Sequence, residues 1–187
     1  MAQTGFLNSD SFLVLERLSQ KKCYLRELAE ELGFSPSYVH KLVSRLLQNK
    51  MIVAEKQKNR KLLGLDYASP LARRSLSLVF IKRILGCKSL RKLIKLGPKS
   101  VLLFGSAASG RITANSDVDL AVFFEKMPDF LELSEIERRL SSELKREVQL
   151  VFFTLEEWRK SSKQDMVLYD EIKFNSVLIW GKELERS

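Results

Sequence analysis

One histidine, His40, and two cysteines, Cys23 and Cys87, are all that 187 residues offer of the side chains that most often build metal centres and nucleophilic triads. A lone histidine excludes a histidine-based metal cluster and a Ser-His-Asp arrangement, and His40 reads as a flank or packing residue. The cysteines lie far apart with no CxxC pair, so neither a disulfide framework nor a zinc site is signalled. No apolar run approaches the roughly 20 residues needed to span a bilayer, and Met1 to Asp10 lacks the basic cluster and apolar stretch of a secretory leader. The expectation is a cytoplasmic chain with no membrane partner. Internal repeats and low-complexity tracts are missing too. What is present, 45% hydrophobic and 29% charged residues, excludes wholesale disorder and suits one or two globular domains.

The formal charge of +9 is unevenly spread. Residues 1–99 carry 20 Lys and Arg against 7 Asp and Glu, whereas residues 100–187 carry 12 against 16. A basic half joined to a mildly acidic one points to a nucleic-acid-binding module attached to something else.

In the basic half, Leu25, Leu28, Ala29 and Leu32 follow helical spacing with charged residues opposite, and Gly33 stops that helix. Ser35 suits an N-cap and Pro36 the first position of a second helix, whose Val39, Leu42, Val43, Leu46 and Leu47 form one apolar stripe. An earlier helix over Ser9 to Ser19 would complete a three-helix core. Met51 to Glu55 and Lys61 to Leu65 then read as two short strands joined by the polar tip Lys56 to Arg60. Three helices and a basic hairpin, over roughly Asn8 to Tyr67, resemble the winged helix-turn-helix family. That resemblance places Ser37, Lys41, Ser44 and Gln48, with Tyr38 and Arg45 on a flank, in the DNA major groove, and Lys58 and Arg60 of the wing on its backbone or minor groove.

Two helices follow, Leu71 to Leu85 and Lys88 to Leu96, the second broken by Gly97-Pro98. They serve as a connector, with a part in dimerisation as the alternative.

The acidic half opens on an apolar strand, Val101 to Phe104, which runs into Gly105-Ser106-Ala107-Ala108-Ser109-Gly110. Small residues after a strand let backbone N–H groups approach a phosphate. Asp117-Val118-Asp119 then begins a second apolar strand through Phe124, and carboxylates two apart on a strand share one face. Such a pair can aim hard oxygen ligands at magnesium carrying nucleotide phosphates. Gly105-Ser106, ten intervening residues, then Asp117 and Asp119 resemble the DNA polymerase beta-like nucleotidyltransferase superfamily, in its minimal branch.

The resemblance implies that Gly105 and Ser106 hold the β and γ phosphates and that Asp117 and Asp119 ligate Mg2+ or Mn2+. It also implies a third carboxylate on a later strand. Here that strand reads Glu147-Val148-Gln149-Leu150-Val151-Phe152, with Gln149 where the family carries aspartate. A glutamine amide is a neutral ligand and accepts no proton. Either Glu147 reaches in from further back, or two carboxylates suffice, or the domain binds nucleotide without turning it over.

The expected fold class is therefore α/β (α+β): a winged helix-turn-helix over 1–68, a helical connector over 69–97 and a nucleotidyltransferase domain with a mixed sheet over 98–187. The leading functional expectation is Mg2+-dependent transfer of a nucleoside monophosphate from a nucleoside triphosphate, ATP first, to an acceptor hydroxyl. Two further readings stay open: a DNA-binding transcription regulator whose degenerate domain only senses nucleotide, and an antitoxin-type partner that transfers AMP to a HEPN-type toxin. Expected partners are the triphosphate, DNA, a protein acceptor such as that toxin, and a second copy in a homodimer.

Overall fold

Asn8 caps the first helix, α1 (Ser9–Gln20), its side chain accepting from the Ser11 N–H at 2.9 Å. In this computed structural model residues 7–161 and 166–183 are described, so the leader-free reading of the first residues lies largely outside them. A two-residue strand, β1 (Cys23–Tyr24), leads into α2 (Leu25–Leu32), where the Glu27 carboxylate accepts from the Tyr24 N–H. Gly33, at φ 69°, ends α2 in the left-handed conformation. Ser35 caps α3 (Pro36–Gln48) with Pro36 in its first turn, as its sequence requires. β2 (Ile52–Gln57) and β3 (Arg60–Leu65) form a hairpin, and the sheet order is β1-β3-β2, all antiparallel.

The hairpin corrects the sequence reading in length. Its strands run on to the Gln57–Arg60 pair, so only Lys58 and Asn59 turn the chain, Lys58 at φ 51°. Residues 53 to 60 are all exposed, so no burial pattern marks where pairing stops. The strand β1 was not expected either.

Two compact units result: one built on the residues up to Val79 together with Gly110–Asn115, the other on Phe80–Ser109 with Ser116 onward. The first has its own core, in which Leu15, Leu28, Leu42, Leu46 and Leu63 are buried. The boundary falls inside α4 (Pro70–Gly86), so the connecting helices are shared out between the units.

In the second unit α5 (Lys88–Lys95) precedes β4 (Ser100–Phe104), α6 (Gly105–Ser109) and β5 (Val118–Phe124). Then come α7 (Phe130–Leu144), β6 (Val148–Thr154), α8 (Leu155–Ser161), α9 (Met166–Asn175) and β7 (Val177–Gly181). The sheet order is β6-β5-β4-β7, with β4 antiparallel to both neighbours and β5 parallel to β6, which makes the sheet mixed. On one face Leu102, Phe104, Ala121 and Phe123 pack with Trp158 of α8 and Ile172 of α9, and Trp158 stacks on Tyr169 at 4.5 Å.

The edge strand β6 is sealed by side chains. The Val148 N–H donates to Ser141 Oγ (3.0 Å) and the Leu150 N–H to Glu137 Oε1 (2.8 Å), both from α7. These bonds occupy an edge that would otherwise pair with another chain, and they seat Gln149 between them. Among the described residues no helix is long and apolar enough to cross a membrane.

Candidate active site

The site grows from the end of β4. Phe104 pairs with Asp119 of β5, and the next residue, Gly105, turns at φ 66° into the short helix α6. A Cβ on Gly105 would lie 2.3 Å from Asp119 Oδ2. Glycine is therefore demanded twice, by the left-handed backbone and by the carboxylate lying against it. Ser106 follows, half-buried, and its carbonyl accepts from the Ser109 hydroxyl at 3.2 Å. The buried Ala107 and Ala108 close the Gly-Ser segment into one helical turn.

Asp117 comes just ahead of β5 and Asp119 within it, so the two reach the site from a strand entry. Both are half-buried. Burial, and after it the charge of Asp117, holds the Asp119 carboxyl above the usual carboxylate range. Gln149 sits opposite Asp119 in the parallel ladder, and its Nε2 donates to Asp117 Oδ2 at 3.0 Å. An ionised carboxylate only accepts, so the amide must present its NH2 group here. Gln149 thus lies next to both aspartates, opposite Asp119 in the ladder and bonded to Asp117.

Glu147 does not join them. It lies exposed before β6 begins, and its main-chain carbonyl accepts from the Val118 N–H at 2.9 Å. Among the described residues no group of three His, Cys, Asp or Glu side chains fit to hold a metal is found. The donor set is two carboxylates and one amide. No Lys or Arg ion pair reaches either aspartate among the described residues, which leaves their repulsion for a cation to relieve. Magnesium is commonly held through one or two carboxylates plus substrate phosphates, and Asp117 and Asp119 fit that pattern.

Residues 89–182, half of the chain, match the family described as polymerase beta, nucleotidyltransferase. The chain belongs to that nucleotidyltransferase family. Two Methanocaldococcus jannaschii proteins are similar to it: "Putative protein adenylyltransferase MJ0128", 43% identical over 53 residues, and "Putative protein adenylyltransferase MJ1215", 40% identical over 53 residues. Each match takes in 28% of this chain and spans 54% and 62%, respectively, of the relative's length. A toxin-antitoxin crystal structure with AMP-PNP is 26% identical, with a TM-score of 0.40, covering 51% of this chain and 73% of that one.

In the first unit, α3 buries Val39, Leu42, Val43 and Leu46 and leaves Ser37 and Lys41 exposed, with Ser44 and Arg45 half-buried. Lys58 and Arg60 are exposed at the hairpin, where the Arg60 guanidinium lies 5.7 Å from the centre of the Tyr24 ring. Tyr38 is differently placed from the expected DNA-facing flank. Its hydroxyl donates to Asp10 Oδ2 at 2.6 Å and its ring meets Phe34 edge-on at 5.4 Å, so it fastens α3 to α1.

Proposed function

We propose that this chain is a metal-dependent nucleotidyltransferase that moves AMP from ATP to a hydroxyl on a protein. The observation that carries the reading is the contact of Gly105 with Asp119, flanked by Asp117 and Gln149. It joins a glycine-serine turn, suited to phosphates, to a crowded carboxylate pair suited to a divalent ion. Bound at Asp117 and Asp119, Mg2+ would supply neutralisation of the charge that develops on the phosphates. The chain's own part is positional. Gly105 admits the triphosphate close to the backbone, Ser106 offers a hydroxyl donor, and Gln149 orients Asp117. The acceptor oxygen attacks the α-phosphorus as the bond to pyrophosphate breaks, and the hydroxyl proton leaves to solvent, because the Gln149 amide takes up none. The two adenylyltransferase relatives favour ATP as donor and protein as acceptor, for which a HEPN-type toxin is one candidate.

The first unit is the targeting module in this reading, a winged helix-turn-helix carried by the element order α1-β1-α2-α3-β2-β3 and by the exposed Lys41, Lys58 and Arg60. Lys41, Arg45, Ser37 and Ser44 face base edges and phosphates, and Tyr38 stays a packing residue. A second reading, a regulator that only senses nucleotide, is favoured by one observation, Gln149 in place of a carboxylate. Incubation with Mg2+, α-labelled ATP and a cell extract tests the first reading. A labelled protein band that disappears with Asp117→Asn supports transfer; tight Mg2+-ATP binding with no labelled product from any acceptor supports sensing.

A further inference from the structure

Asp117 lies outside the strand it precedes, so no ladder of its own holds it; bonds from the short run Arg146 to Gln149 bear on it instead. The Val118 N–H after it donates to the Glu147 carbonyl at 2.9 Å. Its carboxylate accepts from Gln149 at 3.0 Å. The carbonyl before it, on Ser116, accepts from Arg146 Nη1 at 2.9 Å. The first bond is of the kind that any strand entry makes, and the second belongs to the site. The third differs: a long side chain reaches back across 30 residues to the backbone oxygen beside Asp117.

That side chain is itself aimed. The Arg146 guanidinium lies 5.5 Å from the ring centre of Phe80, which is fully buried, and Arg83 approaches the same ring at 5.6 Å while donating to the Leu144 carbonyl at the end of α7. A planar cation resting on an aromatic face has few orientations left, so its N–H groups point where the ring allows. Lysine has the charge but not the plane. We infer that Arg146 is a positioning residue: by holding the Ser116 carbonyl it sets the backbone angle at which Asp117 enters the site and brings its carboxylate towards the metal position shared with Asp119. This rests on the proposed metal-nucleotide site. Loss of a side chain that orients a metal ligand commonly weakens metal affinity by about 10- to 100-fold.

Arg83 is the control, since it shares the Phe80 ring and donates to the Leu144 carbonyl at the end of α7. Mn2+ binding in the presence of a non-hydrolysable ATP analogue, followed by electron paramagnetic resonance, gives a readout apart from turnover. Thermal melting of the ligand-free protein reports packing. Arg146→Gln is expected to weaken Mn2+ binding by about tenfold or more, and Arg83→Gln to lower the melting temperature while Mn2+ affinity stays at the wild-type value. Should Arg146→Gln fail to fold, Arg146→Lys takes its place and is expected to bind Mn2+ more weakly than wild type at a nearly unchanged melting temperature. Equal Mn2+ affinity in the folded Arg146 variant and the wild type overturns the inference, as does an equal loss in Arg83→Gln, which would trace the effect to Phe80 packing. A wild-type protein that binds no Mn2+ overturns the site reading and this inference with it.

Discussion

Gly105→Ala separates what the site costs the fold from what it gives to function. The new methyl group arrives 2.3 Å from Asp119 Oδ2, and ordinary contact begins at 3.4 Å, so the carboxylate oxygen must retreat by about 1 Å. It is the end of a short side chain, and a rotation of that size costs roughly 0.5–1.5 kcal/mol. Holding alanine at φ 66° adds about 1–2 kcal/mol. A loss of roughly 1.5–3.5 kcal/mol lowers the melting temperature by about 3–14 °C in a chain of this size. The functional loss is larger in proportion, because disturbing the orientation of a metal ligand commonly weakens metal affinity by about 10- to 100-fold. A ligand at about 100 times its Kd stabilises by about 2.7 kcal/mol, and a hundredfold weaker one by only about 0.4 kcal/mol, so the Mg2+-ATP shift should nearly vanish. Gly110→Ala supplies the contrast: its methyl would sit 1.9 Å from the Arg73 carbonyl oxygen, which is backbone and cannot rotate away. That variant should lose more stability than Gly105→Ala. Scanning fluorimetry with and without Mg2+-ATP measures both, and a Gly105→Ala protein that keeps the full ligand shift, or a Gly110→Ala protein that melts above it, refutes the reasoning.

Asp119→Asn should raise the melting temperature of the metal-free protein at neutral pH and abolish the Mg2+-ATP shift, because it removes a charge disfavoured by burial and by Asp117. The sign follows from linkage: a carboxyl raised on folding binds more protons folded than unfolded, so its contribution to stability falls as pH rises through that window; pH-dependent melts of the two proteins in EDTA check it. Gln149→Asp should raise single-turnover transfer by ~10²-fold if the amide is what limits proton transfer, whereas Glu147→Gln should change little, since Glu147 stands apart from the aspartates; activity lost in Glu147→Gln would reverse that assignment. Lys58→Ala with Arg60→Ala should weaken duplex DNA binding to all sequences alike and flatten the salt slope by roughly one unit per lost phosphate contact, and affinity unchanged by salt would sink the DNA reading.

What could be read in advance follows from how local each feature is. Ser35-Pro36 and Gly33 announce helix ends because capping chemistry is settled within three or four residues, and the Gly-Ser and Asp-x-Asp elements announce a strand, turn and strand for the same reason. The two residues of β1 carry no alternation and exist as strand only because Leu62 and Leu63 of β3 lie opposite. Tyr38 looked free on its helix face, yet Asp10, 28 residues upstream, takes its hydroxyl. Arg146 lies in the charged run Lys145-Arg146-Glu147, and nothing local distinguishes it from a solvated neighbour; Ser116 comes within its reach only when the sheet brings β5 and β6 together, and Phe80, 66 residues upstream on α4, only in the folded unit.

The same proximity explains why glutamine is tolerable at position 149. A carboxylate there would set a third negative charge beside two half-buried aspartates, one of them already reluctant to ionise. Without metal, such a site destabilises the fold at neutral pH, since like charges at close range and partial burial both act against ionisation. The amide instead donates a hydrogen bond to Asp117 and adds no charge to the pair. Gln149→Asp should accordingly melt lower than wild type in EDTA and recover, or exceed wild type, on addition of Mg2+-ATP. The two proteins would then cross in stability as metal is titrated in. A variant at least as stable as wild type in EDTA would mean that Asp117 and Asp119 feel less of each other than their placement requires, and the cation site between them would lose its physical basis.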